Sequence, residues 1–127
     1  MPVLLVAKGR DITTNRIIGS GTEPKFVAWG TDDGAILPLA DGNAALGAAA
    51  PEARTTGTSS RQTTATANDT YRVVGTITAA AARAIKEAAL FDALTAGNLF
   101  IRGTFAVINL EAADSIQFTI EGRYNAP

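Results

Sequence analysis

From Ser115 to Glu121 apolar and polar residues alternate without a break, Ile116, Phe118 and Ile120 in one phase and Gln117, Thr119 and Glu121 in the other. A period of two is what a half-buried strand requires, and no helix brings such a set to one face. The same phasing marks Leu99 to Val107, where Leu99, Ile101, Phe105 and Val107 share a face opposite Arg102 and Thr104, with Phe100 and Ile108 adding apolar bulk to the second face. Tyr71 to Thr78, with Tyr71, Val73 and Ile77 in phase, reads as a third strand. Lys25 to Trp29 is a shorter one, closed by the turn cluster Gly30-Thr31-Asp32-Asp33-Gly34. Abundant threonine, whose branched β-carbon suits a pleated surface, points the same way.

Three stretches are less decided. Thr55 to Thr66 holds almost no large apolar residue, which fits either a flexible linker or a strand polar on both faces. With the turn signal Asn68-Asp69 and the Tyr71 strand following, we favour the first strand of an antiparallel hairpin, at a sheet edge or against another chain. Ala79 to Leu94 is alanine-rich, with Arg83, Lys86 and Glu87, and propensity alone calls for a helix there. Asp41 to Ala50 reads as one helical turn or irregular chain, stopped by Pro51.

With 127 residues, one domain is expected, and 46% hydrophobic against 18% charged residues is too apolar for a wholly disordered chain. Eleven basic and twelve acidic residues leave a net charge of −1. A nucleic-acid partner is therefore not expected, because displacing counterions from phosphates needs a basic stripe. The absence of cysteine and histidine removes disulfides, thiolate nucleophiles, Cys/His zinc sites and the Ser-His-Asp triad. No metal and no cofactor are expected. Met1 to Lys8 lacks the basic-then-apolar pattern of a secretory leader, and no apolar run nears membrane-spanning length. Synthesis in a cytoplasm and no membrane partner are expected.

Two-carboxylate glycoside chemistry has candidates in Asp32, Asp33, Glu87, Asp92, Glu111 and Asp114. Asp32 and Asp33 sit in a glycine-bounded turn, where aspartate caps nearby backbone N–H groups, and the Glu111 to Asp114 stretch also reads as a turn. Gly19-Ser20-Gly21 lacks the rest of any phosphate-binding fingerprint. Lys8, Arg10 and Arg16 offer positive charge to an acidic partner surface or simply a solvated segment. Trp29 and Tyr71 couple large apolar area to a polar tip and suit either a core or a subunit interface. Small residues crowd the chain, so its core is expected to be thin and relieved by self-association.

Four segments carry a family resemblance: Asn68-Asp69-Thr70-Tyr71-Arg72-Val73-Val74-Gly75-Thr76-Ile77-Thr78, Ala84-Ile85-Lys86-Glu87-Ala88-Ala89-Leu90-Phe91-Asp92, Gly97-Asn98-Leu99-Phe100-Ile101-Arg102-Gly103-Thr104-Phe105, and Asp114-Ser115-Ile116-Gln117-Phe118-Thr119-Ile120. Together with Phe26 to Thr31 and Arg54 to Thr58, they resemble small structural proteins of tailed bacteriophages, over about Lys25 to Ile120. The resemblance implies a strand over Ala84 to Phe91, against helix propensity, and a turn from Asp92 to Gly97. The chain departs from the pattern at Lys86, where threonine is usual, and at Ala89 and Ala113, where glycine is usual.

The expectation is an all-β antiparallel β-sandwich or jelly-roll-like domain over residues 25–127, preceded by residues 1–24 as an extended N-terminal arm or first strands. The resemblance implies a non-enzymatic virion protein on the capsid exterior, a decoration or cement protein acting as a homotrimer on the major capsid protein. The alternative is a tail, baseplate, collar or fibre-attachment component. A carboxylate-dependent enzyme acting on cell-wall glycan is the reading from another class. Val3, Leu5, Lys8, Arg10 and Arg16 are candidate capsid contacts, and Thr56, Thr58, Arg61, Thr64, Trp29 and Tyr71 candidate subunit-interface residues.

Overall fold

The computed structural model describes residues 3–124. Its elements in chain order are β1 (Val3–Leu5), α1 (Ala7–Ile17), β2 (Phe26–Gly30), β3 (Thr55–Thr56), β4 (Thr58–Gln62), β5 (Thr70–Thr78), β6 (Arg83–Phe91), β7 (Leu99–Leu110) and β8 (Ser115–Arg123). They form a five-stranded sheet, in the order β1-β7-β6-β2-β3, and a three-stranded sheet, in the order β4-β5-β8. Every strand pairing is antiparallel. The two sheets pack face to face as an all-β sandwich.

Between the sheets, Val27 and Trp29 of β2, Ile85, Ala88 and Leu90 of β6 and Ile101 of β7 meet Val73, Ile77 and Phe118 of the smaller sheet. The Trp29 and Phe118 rings meet edge to face at 6.3 Å. A second apolar cluster, of Val6, Ala28, Ala89, Phe91 and Leu99, lies apart from this core, with Leu4 and Leu46 packed against it. The larger sheet is thus buried on both sides. That explains β6, where helix propensity loses: a central strand paired to β2 and β7 buries alternate residues in each cluster, and alanine fits where the covering chain lies close.

The chain changes sheets at Gly57, whose N–H donates to the Lys25 carbonyl at 2.7 Å. A β-carbon there would collide with Val73, so only glycine fits the crossing. Of the Thr55 to Thr66 stretch, Thr55–Thr56 and Thr58–Gln62 are edge strands, one in each sheet, β4 pairing with β5 in the hairpin read from the sequence, while residues 63–66 form the connecting loop.

Of the two forms expected for residues 1–24, the described part shows a first strand and a helix in place of a free arm: Val3 to Leu5 pair with Ile101 to Gly103 of β7, and Ala7 to Ile17 form a helix whose Ile12 enters the core. The accessible surface of 6788 Å² is close to the ~6,400 Å² of a compact monomer of 13.1 kDa. Small residues are accommodated by close approach of backbone, and self-association must be argued from the surface.

Candidate interaction surfaces

Between β2 and β3 the chain runs from Thr31 to Arg54 with a single strand bridge, Gly30 to Ala49. A buried charge cluster pins this long loop over the larger sheet. The register of β6 and β7 sets Ala89 opposite Arg102 and Glu87 opposite Thr104, bringing Glu87 and Arg102 side by side. Arg102 donates from Nε to Glu87 Oε1 at 3.0 Å, from Nη2 to Asp32 Oδ2 at 3.1 Å, and from Nη1 to the Leu37 carbonyl and Asn43 Oδ1, both at 2.9 Å. Glu87 also accepts the N–H groups of Asp32, Gly47 and Ala48, and Asp32 those of Gly34, Ile36 and Leu37. Burial pushes the Asp32 carboxyl up, but the three loop donors and Arg102 outweigh it, and the net shift is downward. A β-carbon at Gly47 would run into the Asp32 carboxylate.

Chemically this is a fastener. Asp32, Glu87 and Arg102 are all buried, and each carboxylate is surrounded by donors. Asp32 and Glu87 are acid/base candidates by sequence; in the fold one guanidinium bridges them away from solvent. Arg102 is not legible as their partner from sequence; the available signal is an arginine directly after the apolar run Leu99-Phe100-Ile101 of a strand. Asp33, Asp92 and Asp114 behave as turn residues, accepting from the N–H groups of Ala35, Asn98 and Glu111 respectively. Among the described residues, no group of three or more Asp and Glu is placed to hold a metal ion.

A surface groove of about 550 Å³ runs beside α1, lined chiefly by Ile12, Ile17, Pro24, Tyr71, Phe100 and Tyr124. Tyr71 donates its hydroxyl to the Pro24 carbonyl at 3.1 Å and stands edge-on to Phe100. Burial, and then the neighbouring Glu23 charge, push its phenol up. Arg16 and Glu23 also line the groove.

The predicted contact residues scatter around the molecule. Val3 and Leu5 lie in β1, Leu5 packed against the core. Lys8 faces Asp11 at 3.9 Å, Arg10 forms a two-pronged pair with Asp41, and Arg16 donates to the Gly21 carbonyl. Thr56, Thr58, Arg61 and Thr64 are exposed along β3, β4 and the following loop. Tyr71 is half-buried at the groove. Trp29 is the correction: it is 1% exposed and donates its indole N–H to Glu52, so it belongs to the core rather than to an interface.

Large apolar side chains are exposed elsewhere, Ile17 and Ile18 at the end of α1 most of all, at 78% and 77%. Val107 and Ile108 project from β7 beyond the stretch paired to β1. There β7 bulges against β6, three of its residues standing opposite Lys86, a device that keeps an open edge from flat pairing. No helix among the described residues is long and apolar enough to cross a membrane. No protein-family model, curated protein or solved structure matches this chain.

Proposed function

We propose that this chain is a non-enzymatic structural protein of a tailed-phage virion, a decoration or cement protein that binds the major capsid protein from outside and associates with copies of itself. The observation that carries the reading is the coincidence of the resembling segments with the sandwich. The four main ones fall on β5, β6, β7 and β8, and the extended Ala84 to Phe91, which the resemblance alone implied, is β6. A rigid double-sided sheet with exposed polar edges suits a part that adds many modest contacts, since repetition over a shell turns weak individual binding into durable attachment.

The test is occupancy of expanded capsids that lack the protein. Purified chain is expected to bind them in many copies over the head and to raise their resistance to heating. Binding at the tail or a single vertex instead selects the tail or collar alternative, and no binding to any particle removes the virion reading. For the shell contact, truncating the N-terminus is a poor probe because Val6 and Ile12 are core residues. The charge reversal Lys8→Glu, with Val3→Glu, is expected to lower occupancy and leave the melting temperature nearly unchanged.

A further inference from the structure

The two sheets differ in width, and the difference leaves a step along one side of the sandwich. β8 lies over β6, so β7 and β1 of the five-stranded sheet reach past the outer edge of the three-stranded one. The step holds a groove of about 240 Å³, with Val3, Ile101 and Phe105 of the larger sheet as its floor and Phe118 to Glu121 of β8 as its wall. Four consecutive residues of a strand can front one groove only through the strand's edge, because alternate side chains point to opposite faces. On its inner edge β8 pairs with β5 through all nine of its residues without a bulge, and no strand among the described residues pairs with its outer edge. We propose that this edge and groove receive an extended segment of another polypeptide, which adds a fourth strand to the smaller sheet and sets alternate apolar side chains on Val3 and Phe105.

The chemistry of the edge selects its occupant. The outer edge presents backbone N–H and C=O groups, partial positive and negative charges in alternation at strand spacing, and another extended backbone is what matches that row along its length. The other edges are blunted: β1 and β3 have three and two residues, β4 has five, and β7 bulges just beyond its pairing with β1. β8 carries neither proline, lysine nor bulge, so the long open edge has none of the usual defences against a further strand. A second copy cannot supply its own β8, because each larger sheet reaches past that strand and a twofold pairing would drive the two sheets into the same space. A lone strand, attached to no sheet of its own, clears the step. The groove also sets the side-chain pattern of that strand. Val3 is 47% exposed, Phe105 is half-buried, and Glu121, the charged residue beside them, is already held by Arg72 at 2.9 Å. Inward residues are therefore apolar and uncharged, and outward ones polar, in line with the exposed Gln117 and Thr119.

This inference rests on the β8 edge and stands apart from the virion reading, since it is tested on the purified chain without any particle. The probe is a synthetic peptide with the sequence of residues 115–123. In the antiparallel register that overlaps all nine residues, its isoleucine falls across from Phe118, its phenylalanine across from Ile120, and no like charges stand opposite each other. Fluorescence anisotropy of the labelled peptide is expected to show saturable binding of one peptide per chain. N-methylating every second amide of the peptide is expected to abolish binding in one phase and to leave it within about threefold in the other, since only one phase donates toward β8. Val3→Lys, which places a charge on the groove floor at a half-exposed side chain, is expected to weaken binding about tenfold and leave Tm nearly unchanged. With the peptide saturating, hydrogen exchange is expected to slow at alternate amides of β8, those not already bonded to β5. No saturable binding, equal loss from both N-methylated phases, binding indifferent to Val3→Lys, or protection gained away from β8 would each overturn the proposal.

Discussion

The two faces of the five-stranded sheet are covered differently: one by a sheet through apolar contact alone, the other by a small apolar cluster together with a buried charge cluster. Toward the smaller sheet, Val27, Trp29, Leu90 and Ile101 make an apolar contact that regular strands deliver. On the other face a loop without regular structure is held by Arg102, Asp32, Glu87 and Asn43, all buried. Sheet-on-sheet packing is non-directional and tolerates imperfection, because each strand is also secured by its ladder. The loop has almost no ladder, so its backbone groups need side-chain partners, and the two carboxylates supply six acceptances to them. Apolar burial would not tell the loop where to stop; the charge cluster does, and the cost is desolvation that only a complete cluster repays.

The sharpest way to break the loop side is Arg102→Met. It leaves two buried carboxylates without a counter-charge and is expected to cost about 3–5 kcal/mol, a large part of what holds a domain this size together. Urea denaturation measures it. Hydrogen exchange locates it: the amides of Gly34, Ile36, Leu37, Gly47 and Ala48 should lose protection before those of β5 and β8. Replacing all three together, Asp32→Asn and Glu87→Gln with Arg102→Met, should recover only part of the loss: no charge is left to bury, but both oxygens of each carboxylate accept backbone N–H groups, and each amide keeps one acceptor and turns an NH2 donor toward the other donors. A cost under about 1 kcal/mol for Arg102→Met would mean that packing, not charge, holds the loop.

Leu90→Ala is the matching cut on the other face. Emptying a fully buried leucine site between the sheets is expected to cost about 2–5 kcal/mol, as the cavity relaxes only in part. Here protection should fall across both sheets together, without a selective effect on the loop. If the two variants gave the same exchange pattern, the faces would be one cooperative unit and the contrast between them would be one of composition only.

Acid should separate the faces more gently. Glu52, beyond Pro51 at the end of the loop, is held down to about 2 by its hydrogen bonds from Arg83, with further donors in Ala80 and Trp29. Backbone N–H groups of Thr66 and Thr64 hold Asp69 well below the carboxylate range, and Asp32 is lowered as well. A carboxylate whose folded pKa is depressed contributes fully above its ordinary value. For Glu52 that contribution is present above 4.5 and lost as pH falls toward about 2. Denaturation midpoints should therefore fall between pH 5 and about 2, and Glu52→Gln should flatten the upper part of that fall. An unchanged slope in Glu52→Gln would shift the acid sensitivity to Asp69 and Asp32.

The contrast also explains what was legible in advance. β5 and β8 announce themselves through alternation, because one face of each meets the apolar interior, and β2 and β7, buried on both sides, through their large apolar residues. β6 does not, since Ala88 and Ala89 are small on both sides and only the pairing with β2 and β7 makes it a strand. α1 was hidden for another reason. Gly9, Thr13, Thr14 and Asn15 are poor helix formers, and Val6 before it supplies no capping side chain, so docking against β7 rather than propensity sustains the helix. The charge cluster was least legible. Asp32 lies 70 residues from Arg102 and Glu87 lies 15 from it, separations without meaning until the strand register is known.

The smallest expected effect touches neither face. The β7–β8 turn carries the chain from one sheet to the other, and Ala113 sits there at φ 75°, a left-handed conformation that costs an alanine roughly 1–2 kcal/mol. The turn keeps it in place through two backbone bonds at 2.8 Å, Ala113 N–H to the Ala79 carbonyl and Ala79 N–H to the Asp114 carbonyl. Ala113→Gly removes the strain but gives the unfolded chain more freedom, which offsets about 0.4–1 kcal/mol of the gain. The net is a stabilisation of about 0.5–1 kcal/mol, seen as a rise of a few degrees in Tm. Because the turn shares no partner with Arg102 or Leu90, the gain should add to either variant unchanged. Failure to add would show that strain in this turn is coupled to one face, and the face whose variant deviates is the one to which it is coupled.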